Sequence, residues 1–262
     1  MSIYLYKKTL IVATLASALA LSACATDPTK TGSIKRGGKT IEQMNVAELN
    51  DTIGYLSQRY EKKPKDKKNG LTYANSLRIA GRDDQALAVM QQLVIAHPED
   101  DQILAAYGKA LASNGDLLRA LEVIKRAQKP DNPDWKLLSA EGAILDQLER
   151  PAEARAFYNK ALTIKPGESS ILSNLGMSYL LEGELQQSEK YLRQAIGRPG
   201  ADSRTRQNLA LVIGLQGRFQ EAEKMAAGEL NQSEAQANIN YLRQMLKQQN
   251  AWTDLKQEDK KS

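Results

Sequence analysis

Small residues recur every 34 positions along most of this 262-residue chain, and that period decides what it can fold into. Ala74, Gly108, Gly142, Gly176 and Ala210 form one series, and Ala86, Ala120, Ala154, Ser188 and Ala222 a second. Gly81, Gly115, Gly183 and Gly217 form a third, interrupted only by Glu149. Pro98, Pro133, Pro166 and Pro199 form a fourth, with steps of 35, 33 and 33. Four registers in phase over five copies define a repeat array. A copy of this size cannot bury its apolar face alone, so neighbours must stack.

Counted from residues 67, 101, 135, 169 and 203, the copies resemble the tetratricopeptide repeat: a small residue at position 8, Ala or Ser at 20, Gly near 15 and Pro near 32. Each residue type has a physical reason. Small side chains at 8 and 20 let two helices cross closely, Gly supplies the left-handed conformation that ends helix A, and Pro stops helix B. Position 11 (Leu77, Leu111, Leu145, Tyr179, Ile213) and position 24 (Met90, Ile124, Tyr158, Leu192, Ala226) supply the interior. The third copy departs from the pattern: Glu141 replaces an apolar residue and Glu149 the turn glycine. With Pro151 in the first turn of its helix B, a different A–B turn is expected there.

The resemblance implies an all-α chain, a right-handed α-solenoid of five repeats (67–100, 101–134, 135–168, 169–202, 203–236) between N- and C-terminal capping helices. Ile53, Leu56 and Tyr60 share one helical face, so 44–66 is read as the N-terminal cap. Ile239, Leu242 and Leu246 do the same within 237–262, where Gln244 takes the small-residue position, giving a polar-backed cap and a disordered tail. In the family, positions 2, 5, 6, 9, 12 and 13 line a concave peptide groove. Carried over, they give Asn75, Arg78, Lys109, Lys136 and Gln147 in the first three repeats, and Asn174, Met177, Leu181, Gln207, Asn208 and Leu211 in the last two. Amides both donate and accept, so Asn174 and Asn208 suit the backbone of an extended peptide.

The N-terminus reads as an export signal. Lys7 and Lys8 precede a short apolar run, Leu10–Leu21, too short to span a bilayer comfortably. It ends in Leu21-Ser22-Ala23-Cys24, which resembles a bacterial lipobox and holds the only Cys in the chain. Cleavage between Ala23 and Cys24 would leave Cys24 acylated, with 24–43 as a flexible tether. Ala25 in the second position, instead of Asp, implies an outer-membrane destination facing the periplasm. Loss of 1–23 lowers the net charge from +5 to +3, and an exported protein of that charge meets no nucleic acid.

One Cys and one His exclude an intramolecular disulfide, a Cys-rich zinc site and a multi-His metal site. His97, before Pro98, reads as structural, and the tyrosines as packing. The run 61–68 (EKKPKDKK) reads as a solvated loop. No catalytic residues, metal ligands, cofactor motif or small-molecule substrate site are expected. The stretches SNLGMSYLLEGELQQSEKYLRQAI, RQNLALVIGLQGRFQEAEKMA and NINYLRQML closely resemble the Flp (tight-adherence) pilus assembly lipoprotein family. That likeness implies a non-enzymatic adaptor, pilotin-like toward the outer-membrane secretin or another pilus component. A general envelope scaffold recruiting peptidoglycan enzymes or outer-membrane assembly factors is the alternative.

Overall fold

The computed structural model describes residues 41, 44–227, 236, 237 and 239–248. The leader 1–23, the cleavage site Ala23–Cys24, the tether apart from Ile41, and the tail beyond 248 lie outside the described residues. Eleven helices occur among the described residues: α1 (Val46–Lys62), α2 (Lys67–Ile79), α3 (Asp83–Ala96), α4 (Asp101–Ser113), α5 (Leu117–Ala127), α6 (Trp135–Gln147), α7 (Pro151–Ile164), α8 (Ser169–Leu181), α9 (Leu185–Ile196), α10 (Ser203–Leu215) and α11 (Phe219–Ala227). A further helical stretch covers 239–248, and no described residue is in a strand.

The even-numbered helices α2 to α10, leaving each hairpin's second helix aside, begin 34 residues apart because each follows an acidic residue: Asp66, Asp100, Asp134, Glu168 and Asp202. Four of these carboxylates accept backbone N–H groups of the first turn, which have no intrahelical partner. Asp66 takes Asn69 N–H at 2.7 Å, Asp134 takes Lys136 N–H at 2.8 Å and Asp202 takes Thr205 N–H at 2.8 Å. Asp100 takes two, from Gln102 and Ile103, at 3.1 Å each. Glu168, one methylene longer, makes no such bond. A fifth 34-residue register, of acids, therefore runs through the chain.

Every A–B turn closes on the carbonyl of position 11. Arg82, Asp116, Arg150, Glu184 and Arg218 donate their N–H groups to the carbonyls of Leu77, Leu111, Leu145, Tyr179 and Ile213, at 2.8–3.2 Å. The residue between has positive φ in all five: Gly81 69°, Gly115 86°, Glu149 59°, Gly183 77° and Gly217 82°. The third turn was expected to differ. It does not: Glu149 takes up the glycine conformation, because the same pair of hydrogen bonds closes the turn around it.

The chain divides into two compact units, with the boundary between Phe157 and Tyr158 inside α7. In the first unit each helix from α1 to α5 packs on the next, and the first helices of successive hairpins also touch, α2 on α4 and α4 on α6. Leu56, Leu77, Leu93, Ile103, Leu111, Ile124 and Ile144 are fully buried there. Burial of each such side chain is worth about 1.5–3 kcal/mol. A Cβ built on Gly108 would lie 2.6 Å from Ile124 Cγ1 and 3.3 Å from the Ala120 carbonyl, so positions 8, 20 and 24 meet at one crossing. Ile41 is buried too, so the packed chain begins before residue 44.

The second unit repeats the scheme with α8, α9, α10 and α11, and α8 touches α10. Its core joins Leu180, Leu192, Leu209, Val212, Ile213 and Ala222 to Ile239 of the last helical stretch. Leu242 of that stretch sits over Gly214, where an added Cβ would lie 2.5 Å from Leu242 Cδ2. Tyr179, read as interior, is only half-buried: it stacks on Tyr191 with centroids 5.4 Å apart and planes 4° apart.

Candidate peptide-binding face

Because α2, α4 and α6 lie side by side, residues at equivalent positions of these helices share one face of the first unit. Asn75, Arg78, Lys109, Lys136 and Gln147 are all half-buried. Half-burial suits recognition: the stem is fixed by packing while the polar head stays accessible. Arg78 Nη2 donates to Asn75 Oδ1 at 3.0 Å, so these two hold each other. Asp83 follows closely; burial raises its carboxyl pKa, while Arg78 pulls it the other way. Lys136 Nζ lies 5.4 Å from the Trp135 ring centroid, and Gln147 Nε2 donates to the Ala143 carbonyl at 3.4 Å. This face is cationic with amides between.

In the second unit, α8 and α10 present Asn174, Met177, Leu181, Gln207 and Leu211, each half-buried. Met177 and Leu211 rest on the Leu180–Ile213 core, so their outer surfaces form an apolar strip backed by fixed side chains. Gln207 Nε2 donates to Ser203 Oγ at 3.3 Å. The two asparagines differ: Asn174 is half-buried, but Asn208 is only 6% exposed. Asn174 is therefore the more exposed residue of the pair. Arg204, half-buried at position 2 of its repeat, lies in the same register and was not singled out from the sequence. Its signal was available, since Lys136 occupies the same position in the third repeat.

His97 lies apart from both faces in sequence and does a structural job: its Nε2 is 2.8 Å from the Lys65 carbonyl. A carbonyl only accepts, so Nε2 carries the proton. Among the described residues no group of three or more His, Cys, Asp or Glu is placed to hold a metal ion. No described helix is long and apolar enough to cross a membrane.

Family models of the tetratricopeptide repeat match residues 72–134, 137–168 and 169–201. A TPR repeat-containing protein of Pseudomonas aeruginosa is 30% identical over 131 residues, 49% of this chain and 22% of its own length. The chain thus spans under a quarter of that curated relative. Among solved structures, the Cut9 and Hcn1 hetero-tetramer of the APC/C is similar with a TM-score of 0.60 and 13% identity, over 76% of this chain and 40% of that one. PilW, described as a widely conserved type IV pilus biogenesis factor, is similar with a TM-score of 0.57 and 17% identity, over 76% of this chain and 91% of that one. At such identities these likenesses speak to the fold.

Proposed function

We propose that this chain, whose residues 72–134, 137–168 and 169–201 match the tetratricopeptide repeat, a scaffold that typically binds other proteins, is a lipid-anchored periplasmic adaptor of the TadD type in Flp pilus biogenesis. Its partner is the outer-membrane secretin or another pilus assembly component, met in a pilotin-like role. The observation that carries the reading is the face of α8 and α10. There half-buried Asn174 and Gln207 share α8 and α10 with Met177 and Leu211, which pack on the core. The amides of Asn174 and Gln207, on two adjacent helices, can pair with an extended peptide backbone, and thioether and aliphatic surface takes its apolar side chains.

The anchor rests on Leu21-Ser22-Ala23-Cys24, with Cys24 as the acylated residue. PilW shares the fold and is itself a pilus factor, which agrees with this reading without carrying it. Deletion of the chain should reduce both secretin multimers and surface pili. A chain carrying Asn174→Ala should retain its helicity yet bind the partner about tenfold more weakly, the loss expected for one or two hydrogen bonds. Normal secretin multimers and normal piliation after deletion would reject the pilus role and favour the general envelope scaffold.

A further inference from the structure

Four lysines at the α1–α2 connection, Lys62, Lys63, Lys65 and Lys68, are exposed, and none has an ion-pair partner among the described residues. The run 61–68 holds five lysines against two acids, Glu61 and Asp66. Asp66 caps α2 through Asn69 N–H at 2.7 Å, and Glu61 accepts the Ser57 hydroxyl at 3.1 Å. Asp100 takes Lys67 at 2.6 Å. The backbone between α1 and α2 is tied down as well. Lys63 N–H donates to the Arg59 and Tyr60 carbonyls, Asp66 N–H to the Lys63 carbonyl, and His97 Nε2–H to the Lys65 carbonyl. The four cations are thus displayed from a fixed backbone, so gathering them costs little conformational entropy.

The chain's own geometry brings this patch within reach of a bilayer. The first described residue, Ile41, is buried, and α1 of 17 residues sets the lysines about 25 Å from its start. The residues between Cys24 and Ile41 can span up to about 58 Å, more than twice that length. We infer that Lys62, Lys63, Lys65 and Lys68 form a second, electrostatic contact with anionic lipid headgroups, turning the α1–α2 end toward the membrane. The inference rests on Cys24 as the lipid attachment. An acyl anchor and a basic patch are the two signals that together hold a protein stably at a membrane surface.

The test uses the mature chain from residue 25, which carries no lipid and keeps every described element, with vesicles of phosphatidylcholine alone or mixed with phosphatidylglycerol. The chain should bind the anionic vesicles selectively and release them at high salt. Lys63→Glu with Lys65→Glu should lower partitioning by at least about 25-fold, at about fivefold per lysine. Lys125→Glu with Arg126→Glu changes the net charge equally at another helix end, and should leave partitioning within about twofold. Milder Lys→Gln replacements at 63 and 65, with unchanged helicity by circular dichroism, separate lost contact from lost fold. Equal binding to both vesicle types overturns the inference, as does equal loss in both Glu pairs. Lysines needed to capture an acidic protein but not vesicles would overturn it too. Palmitate labelling of the whole precursor, with Cys24→Ser as control, tests the anchor by itself.

Discussion

Glu149 is held at φ 59°, a conformation that costs an L residue with a Cβ about 1–2 kcal/mol. It persists because Arg150 N–H reaches the Leu145 carbonyl and Glu149 N–H the Asp146 carbonyl, as in the glycine turns. Glu149→Gly should therefore raise stability by about 1 kcal/mol, read as a later urea midpoint at unchanged slope. The opposite holds at Gly176. A Cβ there would lie 2.7 Å from Leu192 Cγ and 3.1 Å from the Ser188 carbonyl, and the latter cannot move aside alone. Gly176→Ala should cost about 1–3 kcal/mol, and an unchanged melting temperature would contradict the close crossing. The small-residue series were legible because bulk is excluded at every copy. The turn at Glu149 was misread because one residue's preference was weighed without the hydrogen bonds that override it.

Elements begin where carboxylates accept the orphan amides of their first turns, and there the sequence held more than was taken from it. The acids before α2, α4, α6, α8 and α10 keep the 34-residue step, yet caps leave no trace in a hydrophobic pattern and look like ordinary loop residues. Asp100 does most: burial would raise its pKa, but the Lys67 ammonium and the Ile103 and Gln102 amides outweigh that and hold it low. Glu168 is the exception: its carboxylate accepts the Ser170 hydroxyl at 3.2 Å but no backbone N–H of the first turn of α8. Glu168→Asp should stabilise the second unit by about 0.5–1 kcal/mol, measurable by denaturant unfolding. No gain would mean that the bond from the Ser170 hydroxyl already offsets the missing cap.

For the molecule as an array, what matters is how one repeat is fastened to the next, and in the second unit charge does this beside the apolar core. Glu189 of α9 accepts from Arg193, from Gln216 at 2.8 Å and from Arg218, while Glu221 of α11 accepts from Arg193 at 2.5 Å and Arg218 at 3.0 Å. The Arg218 guanidinium holds the Glu189 carboxyl at about 2; burial opposes it, and Gln216 and Arg193 assist. Its folded pKa lies below the ordinary 4.5, so the stabilisation is full above that pH and is lost as pH falls toward 2. Glu189→Gln should cost about 1–2 kcal/mol at neutral pH and flatten the acid limb of the stability curve. An acid limb identical to that of the parent chain would remove Glu189 from this role. Such pairing was not legible, because a period fixes which positions repeat and not which side chains meet across repeats. Asn208 is the same lesson at the candidate face: its position was readable, its near-complete burial was not.

All five turns close on the same carbonyl position whatever residue sits between, even a glutamate. The joint is therefore indifferent to local spelling, and the hairpin becomes a unit of currency in the chain's history. Lengthening or shortening the protein in whole 34-residue steps leaves each joint intact, whereas an insertion between position 11 and the residue after the positive-φ residue breaks one.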